Sequence, residues 1–169
     1  MIDVMASSVL HAPIASVWPL IRDFGSIGKW LPGVKSCQVE GDDPGDRVGA
    51  IRRLEMGDVG LIREQLLALS DTDHAVTFSI IESALPIWNY RSTIRLWPVT
   101  DGDRTFIRWK GRFEADPDHA AAMRTRMPVQ IYQPAFDRLA SRVCGAPLAD
   151  NLEPAPFRSM NHRVPSPGT

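Results

Sequence analysis

The pattern of apolar and polar positions predicts strands along most of the chain, with helices near its two ends. Residues 2–11 form the first predicted strand, which ends at Ala12-Pro13. Between residues 34 and 114, runs of alternating character are separated by turn-forming residues. Six further strands are predicted there, over residues 34–40, 47–55, 61–69, 75–83, 88–99 and 105–114. Because the separators are short enough for hairpins, we expect one antiparallel sheet of seven strands.

Two short helices are predicted between the first and second strands. Pro13 suits a first helical turn. Apolar residues then follow at helical spacing, namely Val17, Leu20, Ile21 and Phe24. Gly25-Ser26 is expected to end this helix, and a second short helix is expected to end before Pro32-Gly33.

A long C-terminal helix is predicted from about residue 118 to residue 144. Its apolar stripe consists of Met123, Met127, Ile131, Leu139 and Val143. Pro128 and Pro134 lie inside this stretch and predict kinks in the helix. After Gly145 the periodicity ends and prolines become frequent. We therefore interpret residues 1–145 as one domain and residues 146–169 as a proline-rich tail.

This order of elements predicts an α+β fold with a cavity. A strongly curved antiparallel sheet has one face to bury, and a single long helix laid across that face covers it incompletely. A space is then expected between the helix and the sheet. Cavities of this kind are where proteins most often bind small molecules.

Several stretches of the sequence resemble a known superfamily. Residues 17–24 (Val-Trp-Pro-Leu-Ile-Arg-Asp-Phe), 29–32 (Lys-Trp-Leu-Pro) and 39–41 (Val-Glu-Gly) resemble the opening of the helix-grip superfamily. That group, also called START-like or SRPBCC, includes polyketide cyclases/dehydrases. Residues 63–69 (Arg-Glu-Gln-Leu-Leu-Ala-Leu) and 88–94 (Trp-Asn-Tyr-Arg-Ser-Thr-Ile) resemble its branch with plant abscisic-acid receptors and onion lachrymatory-factor synthase. The resemblance covers about residues 5–144 and implies the helix-grip fold, in which the curved sheet wraps around the C-terminal helix.

The register of the hairpins predicts which side chains face the cavity. If the third and fourth strands turn at Asp58, Arg52 lies opposite Glu64. If the last two strands turn at residues 101–102, the opposed pairs are Ile94 with Trp109, Ser92 with Gly111 and Tyr90 with Phe113. From residue 107 to residue 114 the odd-numbered positions carry no charge and the even-numbered ones are charged, so the odd ones and their partners are expected inside. The candidate ligand-binding residues are Phe78, Ile80, Ser92, Ile94, Ile107, Trp109, Met123, Met127 and Ile131.

The pattern leaves two interpretations of Arg52 and Glu64 open. Apolar residues flank Glu64 on both sides of the strand, so its face is not decided by alternation. On the outer face the two residues would form a weak surface ion pair. On the inner face they would be buried in the cavity, where only good geometry offsets the cost of desolvating two charges.

The resemblance favours the inner face. In lachrymatory-factor synthase the matching arginine and glutamate are the catalytic pair and a pocket tyrosine falls at Tyr90, whereas Phe78 replaces a second pocket tyrosine. The implied chemistry is proton transfer beside a carbonyl or oxyanion. In it Arg52 would hold negative charge, Glu64 would move the proton, and Tyr90 would orient or donate. Hormone reception is not implied, because the receptors' pocket lysine falls at Leu31 and their gate loop is absent.

Composition excludes several other classes of function. The 169 residues carry a formal charge of −1 with no Lys/Arg run, which argues against binding of nucleic acid. No apolar stretch is long enough to insert into a membrane, and no signal peptide is visible. With Cys37 and Cys144 isolated, these features predict a cytoplasmic protein with free thiols. Neither metal-ligand spacing nor a phosphate-binding loop is present, so no metal and no cofactor are expected.

Three classes of function remain for such a chain. The first is a protein that binds or carries a small hydrophobic or amphipathic ligand, such as a polyketide, isoprenoid or lipid. The second is a cofactor-free cyclase, dehydratase or isomerase that uses Arg52, Glu64 and Tyr90. The third is a protein-interaction module. The oligomeric state, monomer or homodimer, is left open.

Overall fold

A computed structural model describes residues 1–41 and 44–144. The predicted proline-rich tail, residues 146–169, lies outside the described residues. The elements in chain order are β1 (Ile2–Leu10), α1 (Ile14–Arg22), a 3₁₀ helix (Phe24–Lys29), β2 (Val34–Val39), β3 (Ile51–Met56), β4 (Gly60–Ser70), β5 (Ala75–Ser83), β6 (Ile87–Val99), β7 (Arg104–Ala115), α2 (Pro117–Arg126), a π-helical segment (Met127–Tyr132) and α3 (Gln133–Val143). The predicted α+β order of one strand, two short helices, six strands and a long helical stretch is confirmed.

The described strands form one antiparallel sheet in the order β1-β7-β6-β5-β4-β3-β2. Every neighbouring pair except β1 and β7 is a hairpin or a direct succession in sequence. Three predicted cross-strand pairs are confirmed, namely Arg52 with Glu64, Ile94 with Trp109 and Ser92 with Gly111. The register therefore places the charged residues of β7 on the outer face and its apolar residues on the concave face, toward the helices.

The predicted pairing of Tyr90 with Phe113 is replaced by a bulge in β6. Pairing shifts between Trp88 and Arg91, so Asn89 and Tyr90 together stand opposite Phe113. Asn89 accommodates the extra residue with a positive φ of 51°. Tyr90 still points inward, and its ring stacks on that of Phe113 with centroids 6.3 Å apart.

The two short helices differ in detail from the prediction. Pro13 precedes α1 as its N-cap residue instead of occupying the first turn. Gly25-Ser26 does not separate the helices but lies inside the 3₁₀ helix that begins at Phe24. The Asp23 carboxylate accepts a hydrogen bond from the Gly25 backbone N–H at 3.1 Å, which fixes this start.

The C-terminal helical stretch contains a π-helical segment where kinks were predicted. Pro128 has no backbone N–H, so one ordinary α-helical hydrogen bond is missing there. The Gln133 N–H instead reaches the Pro128 carbonyl, five residues back. This wide turn inserts one residue into the helical repeat and rotates the following face. Tyr132 consequently turns toward the sheet and is fully buried, whereas Ile131 is half-buried.

The core lies between the concave face of the sheet and these helices. Trp30 packs the 3₁₀ helix onto the sheet, with its ring 5.9 Å from that of Trp109. Trp18 is buried on α1 and donates a hydrogen bond to the Asp71 carboxylate at 2.8 Å. None of the helices in the described ranges has the length and apolar character needed to cross a bilayer.

Candidate functional site

A small cavity lies between the concave face of the sheet and the helical stretch of residues 117–132. Its volume is about 60 Å³ and its walls are almost entirely apolar. The polar or charged residues that reach it are Glu64, Tyr90, Asp58 and Arg126. The apolar lining residues are Ile27, Leu31, Leu54, Met56, Val59, Ile62, Ile80, Leu85, Trp109, Met123, Met127 and Ile131.

Arg52 and Glu64 form a buried ion pair beside this cavity. The residues are only 3% and 6% exposed, and Arg52 Nε donates to Glu64 Oε2 at 2.7 Å. Their backbone pairing across β3 and β4 turns both side chains to the concave face. The structure therefore supports the inner placement over a surface ion pair.

Aromatic rings and a backbone carbonyl hold the Arg52 guanidinium in place. Its carbon lies 4.0 Å from the centroid of the Phe24 ring and 4.8 Å from that of Phe78. Nη1 donates to the Phe24 carbonyl oxygen at 2.8 Å. These contacts offset part of the cost of removing the charge from water. Nη2 is buried without a hydrogen-bond partner in the part of the chain that the structure describes.

Arg52 and Glu64 occupy different positions relative to the cavity. Glu64 is a lining residue, whereas Arg52 lies behind it, under the rings. Arg52 is the hydrogen-bond partner that the described residues provide for the Glu64 carboxylate, and it engages one of the two oxygens. An arginine that uses Nε alone leaves the carboxylate able to accept another hydrogen bond. Glu64 is therefore the group that can meet a molecule in the cavity.

Tyr90, a lining residue, contacts a second buried tyrosine, Tyr132, which does not itself line the cavity. The hydroxyls of Tyr90 and Tyr132 lie 2.9 Å apart, within hydrogen-bond distance. The Tyr132 ring stacks on the Trp109 indole, with centroids 4.3 Å apart and planes 8° from parallel. Space for the Tyr132 hydroxyl exists because residue 111 is glycine. A Cβ atom there would overlap that hydroxyl.

Both tyrosines are held in the neutral form. Burial raises the pKa of Tyr90 to about 12, against an ordinary value of 10.0. Burial also raises the pKa of Tyr132 well above its ordinary value. Both hydroxyls therefore keep their protons near neutral pH. One proton is used in the bond between them, so the pair can donate one further hydrogen bond to an oxygen on which negative charge develops.

Two of the charged lining residues, Asp58 and Arg126, form an ion pair. Arg126 Nη2 of α2 lies 2.9 Å from Asp58 Oδ2, at the turn between β3 and β4, and both side chains are largely buried. The apolar residues Met56 and Val59 flank Asp58 in the same wall. This contact joins the tip of the β3–β4 hairpin to α2 across the cavity lining.

The predicted ligand-binding residues fall into two groups. Five of them line the cavity, namely Ile80, Trp109, Met123, Met127 and Ile131. The other four, Phe78, Ser92, Ile94 and Ile107, are on the predicted face but lie in the packed core and not in the cavity wall. Ser92, for example, accepts a hydrogen bond from Trp109 Nε1 and donates one to the Lys110 carbonyl. The alternation identified the inner face but not the part of it that the helix leaves open.

Tyr132, the hydrogen-bond partner of Tyr90, is not among the residues predicted from the sequence. An α-helical repeat that continues without a phase shift places Ile131 on the inner face and Tyr132 beside it. Pro128 is the available signal, because a proline inside a helix favours a wide turn that shifts the phase by one residue. Nine residues that line the cavity were also not predicted, namely Ile27, Leu31, Leu54, Met56, Asp58, Val59, Ile62, Leu85 and Arg126. In the described ranges, no three His, Cys, Asp or Glu side chains cluster as metal ligands do.

Comparisons with known proteins agree with the fold. The abscisic acid receptors PYL7 and PYL10 of Arabidopsis thaliana are 31% and 30% identical to the chain over 98 and 100 residues. These matches cover 55% and 57% of the chain but 44% and 53% of the receptors, so the chain spans about half the length of the curated relatives it matches.

Solved structures extend the likeness over most of the chain. A protein from Nitrosospira multiformis is 32% identical with a TM-score of 0.68, covering 83% of this chain and 95% of that one. Norcoclaurine synthase of Thalictrum flavum, in complex with dopamine and hydroxybenzaldehyde, shares the fold at 16% identity and a TM-score of 0.68, covering 86% and 88%. The sequence pattern of one family matches residues 1–143. The chain therefore belongs to the family described as polyketide cyclase / dehydrase and lipid transport, within the helix-grip superfamily.

Proposed function

We propose that this protein binds a small apolar or amphipathic molecule in the cavity between the sheet and the helical stretch. The observation that carries the proposal is an apolar cavity with one buried carboxylate in its wall, that of Glu64, which is held by an ion pair with Arg52. Apolar walls supply affinity, and a few fixed polar groups orient the ligand. Glu64 and Tyr90 are the groups that would meet the polar end of the ligand.

The size of the cavity limits how binding can occur. Pockets for drug-sized molecules measure roughly 300–1,000 Å³, whereas this cavity measures about 60 Å³. A ligand with more than a few non-hydrogen atoms therefore requires the wall to move. The Asp58–Arg126 contact is the place where the hairpin tip and α2 can separate without disturbing the sheet.

The relatives support a ligand-binding role. The matching family is described by cyclase or dehydrase activity and lipid transport, and the curated relatives are receptors named for abscisic acid. Norcoclaurine synthase holds two small aromatic molecules on the same fold. Small organic ligands are thus common to the named relatives, although their identities differ.

Binding can be tested with the neutral fluorescent probe N-phenyl-1-naphthylamine. We expect saturable binding at one site per chain. Ile131→Trp, which fills the cavity from the helix, should abolish it. Val129→Trp is the matched control, because Val129 lies on the same π-helical segment but is 61% exposed. Absence of saturable binding, or equal loss in both variants, would contradict the proposal.

A second candidate function is proton transfer by Glu64. The observation that favours it is a carboxylate held in an apolar cavity beside two neutral tyrosine hydroxyls, with Arg52 fixing its orientation. Glu64 would remove or return a proton, and Tyr90 would stabilise the oxyanion that forms. This arrangement suits a cofactor-free cyclase, dehydratase or isomerase.

The proton-transfer hypothesis can be tested with 5-nitrobenzisoxazole, whose ring opens when a base removes its C3 proton. We expect turnover that Glu64→Gln abolishes while the fold is retained. Glu55→Gln on the neighbouring strand is the control, because Glu55 is half exposed and pairs with Arg53 outside the cavity. Turnover that survives Glu64→Gln would rule out this role. The third class, an interaction module, receives no support from the described residues.

A further inference from the structure

The hairpin of β5 and β6 is open at its turn end. The two strands pair from Ala75 with Arg95 to Ser79 with Arg91, and pairing stops there. Residues 80–83 of β5 remain bound to β4 on their other side, and residues 87–88 of β6 remain bound to β7. The space between the diverging strands, which we call the β5–β6 groove, has a volume of about 660 Å³.

The opening has an identifiable structural cause at the start of β6. Glu114 of β7 accepts hydrogen bonds from Trp88 Nε1 at 2.9 Å and from Asn89 Nδ2 at 3.2 Å. These bonds hold the bulged segment toward β7, and Asn89 adopts a positive φ within the bulge. The start of β6 is thereby drawn away from β5. The groove is a built feature, since two side chains and a bulge maintain it.

The β5–β6 groove is lined by residues that belong to both faces of the sheet. Ser79 and Arg91, on the outer face, line it, and so does Ile81, which has no pairing partner on β4. Ile80 and Tyr90 reach it from the inner face, and these same two residues also line the inner cavity. A groove on the surface of a closed sheet would be lined by one face only. The inner cavity and the groove therefore have two lining residues in common, Ile80 and Tyr90.

The groove combines apolar surface with an available cation. Trp88 and Ile81 are 44% and 45% exposed, which is high for large apolar side chains. Arg91 is exposed and has no ion-pair partner among residues 1–41 and 44–144. The acidic residue of the wall, Glu82, is engaged by Arg63 at 3.0 Å. An anion entering the groove would therefore find an uncommitted guanidinium.

We propose that the β5–β6 groove is the outer half of the ligand site and takes the anionic end of an amphipathic ligand, a carboxylate or sulfonate, on Arg91. The apolar body of the ligand then passes between Ile80 and Tyr90 toward the inner cavity. The anionic end of the ligand stays in the solvent-exposed groove, so no anion has to be buried beside Glu64. The two spaces together are large enough for a drug-sized molecule, which the inner cavity alone is not. This inference rests on the proposed ligand binding.

Two fluorescent probes that differ by one sulfonate group test this inference. The first, 1-anilinonaphthalene-8-sulfonate, has the ring system of N-phenyl-1-naphthylamine with an added sulfonate. We expect Arg91→Gln to weaken binding of the sulfonate probe about fivefold, the effect of one exposed charge, and to leave the neutral probe unchanged. Arg95→Gln is the matched control. Arg95 lies on the same strand and outer face but pairs with Asp73 at 2.9 Å, outside the groove.

The outcomes separate this inference from the proposed function. If Arg91→Gln and Arg95→Gln weaken the sulfonate probe equally, or neither does, the groove has no specific role and the inference is overturned. The proposed ligand binding still stands in that case, provided the neutral probe binds and Ile131→Trp abolishes its binding. If the neutral probe does not bind at all, both proposals fail.

Discussion

Gly111 determines whether the tyrosine pair can form. A Cβ at this position would overlap the Tyr132 hydroxyl and press on Val4 Cγ2 at 3.2 Å. We therefore expect Gly111→Ala to displace Tyr132, break its bond to Tyr90 and lower the free energy of unfolding by about 1–3 kcal/mol, as overpacking does. Denaturant unfolding measures the change.

A control and a rescue distinguish this overlap from a general effect of losing a glycine. Gly57→Ala should change the free energy of unfolding by less than about 0.5 kcal/mol, because the new Cβ would meet Lys35 Cε at an ordinary 3.5 Å. Tyr132→Phe removes the overlapping hydroxyl, so in the Gly111→Ala background it should restore part of the loss. Strict additivity of the two changes would show that they do not interact.

The tyrosine pair also predicts how stability depends on pH. The chain has two tyrosines, and both belong to this pair, so the near-ultraviolet absorbance of tyrosinate reports on it alone. Burial raises the pKa of Tyr90 from 10.0 to about 12 in the folded chain. The stabilisation is therefore complete below pH 10 and is lost as the pH rises through about 12. We expect no tyrosinate absorbance near pH 10 in the folded protein, and its appearance together with alkaline unfolding. Normal titration near pH 10 without unfolding would show that the hydroxyls are accessible.

The Arg52–Glu64 ion pair can be tested by its effect on the stability of the fold. Arg52→Met leaves the Glu64 carboxylate buried without its partner, which should lower the free energy of unfolding by about 3–5 kcal/mol. Adding Glu64→Leu removes the stranded charge, so the double variant should recover most of the loss. Thermal or denaturant unfolding of the three variants completes the cycle. If the double variant is no more stable than Arg52→Met, the two charges do not offset each other's cost of burial.

Register made part of the site predictable at the scale of single residues. The turn at Asp58 is enough to place Arg52 opposite Glu64, and this pairing is observed. Which face the pair occupies could not be decided from alternation, because Glu64 has apolar neighbours in both phases. Burial of charge depends on contacts distant in sequence, here the Phe24 carbonyl and ring beneath the guanidinium. A local pattern does not contain such contacts.

At the scale of elements, the π-helical segment decides which face of the C-terminal helical stretch meets the sheet. Met123 and Met127 fit one α-helical repeat, whereas Tyr132 and Phe136 fit a repeat displaced by one residue. The extra residue is absorbed between Met127 and Tyr132. The sequence predicted the helix and a disturbance at Pro128 but not a phase shift, because a proline can produce either a kink or a wide turn.

Deleting one residue tests this account of the π-helical segment. Removing Val129, which is exposed, should convert the wide turn to α-helix and keep both halves on their present faces. The free energy of unfolding should fall by about 1 kcal/mol or less, and the pKa of both tyrosines should stay raised. Removing Asp137, also exposed but inside α3, should cost about 3 kcal/mol or more by rotating Leu139 out of the core. Equal costs for the two deletions would contradict a phase shift confined to the wide turn.

At the scale of the whole molecule, the fold follows from local sequence whereas the volume of the cavity does not. Alternation, turns and the helical stripe each constrain the architecture, and they agree with one another. The cavity is what remains after side chains from the sheet, the 3₁₀ helix and the C-terminal helical stretch have packed. The volume of the cavity is the small difference between the volume that these elements enclose and the volume that their side chains fill. Substituting one lining residue, such as Ile131, can therefore close it.

The domain boundary gives a prediction for the whole chain. The end of α3 is anchored by contacts within residues 1–144, since Cys144 Sγ donates to the His11 carbonyl at 3.4 Å and Arg142 Nε donates to the Lys29 carbonyl. We therefore expect removal of residues 147–169 to shift the melting temperature by about 2 °C or less and to leave binding of N-phenyl-1-naphthylamine unchanged. Scanning calorimetry and a fluorescence titration of both forms make the comparison. A large loss of stability would place the boundary beyond residue 145. Lost binding at unchanged stability would instead make residues 147–169 part of the ligand site.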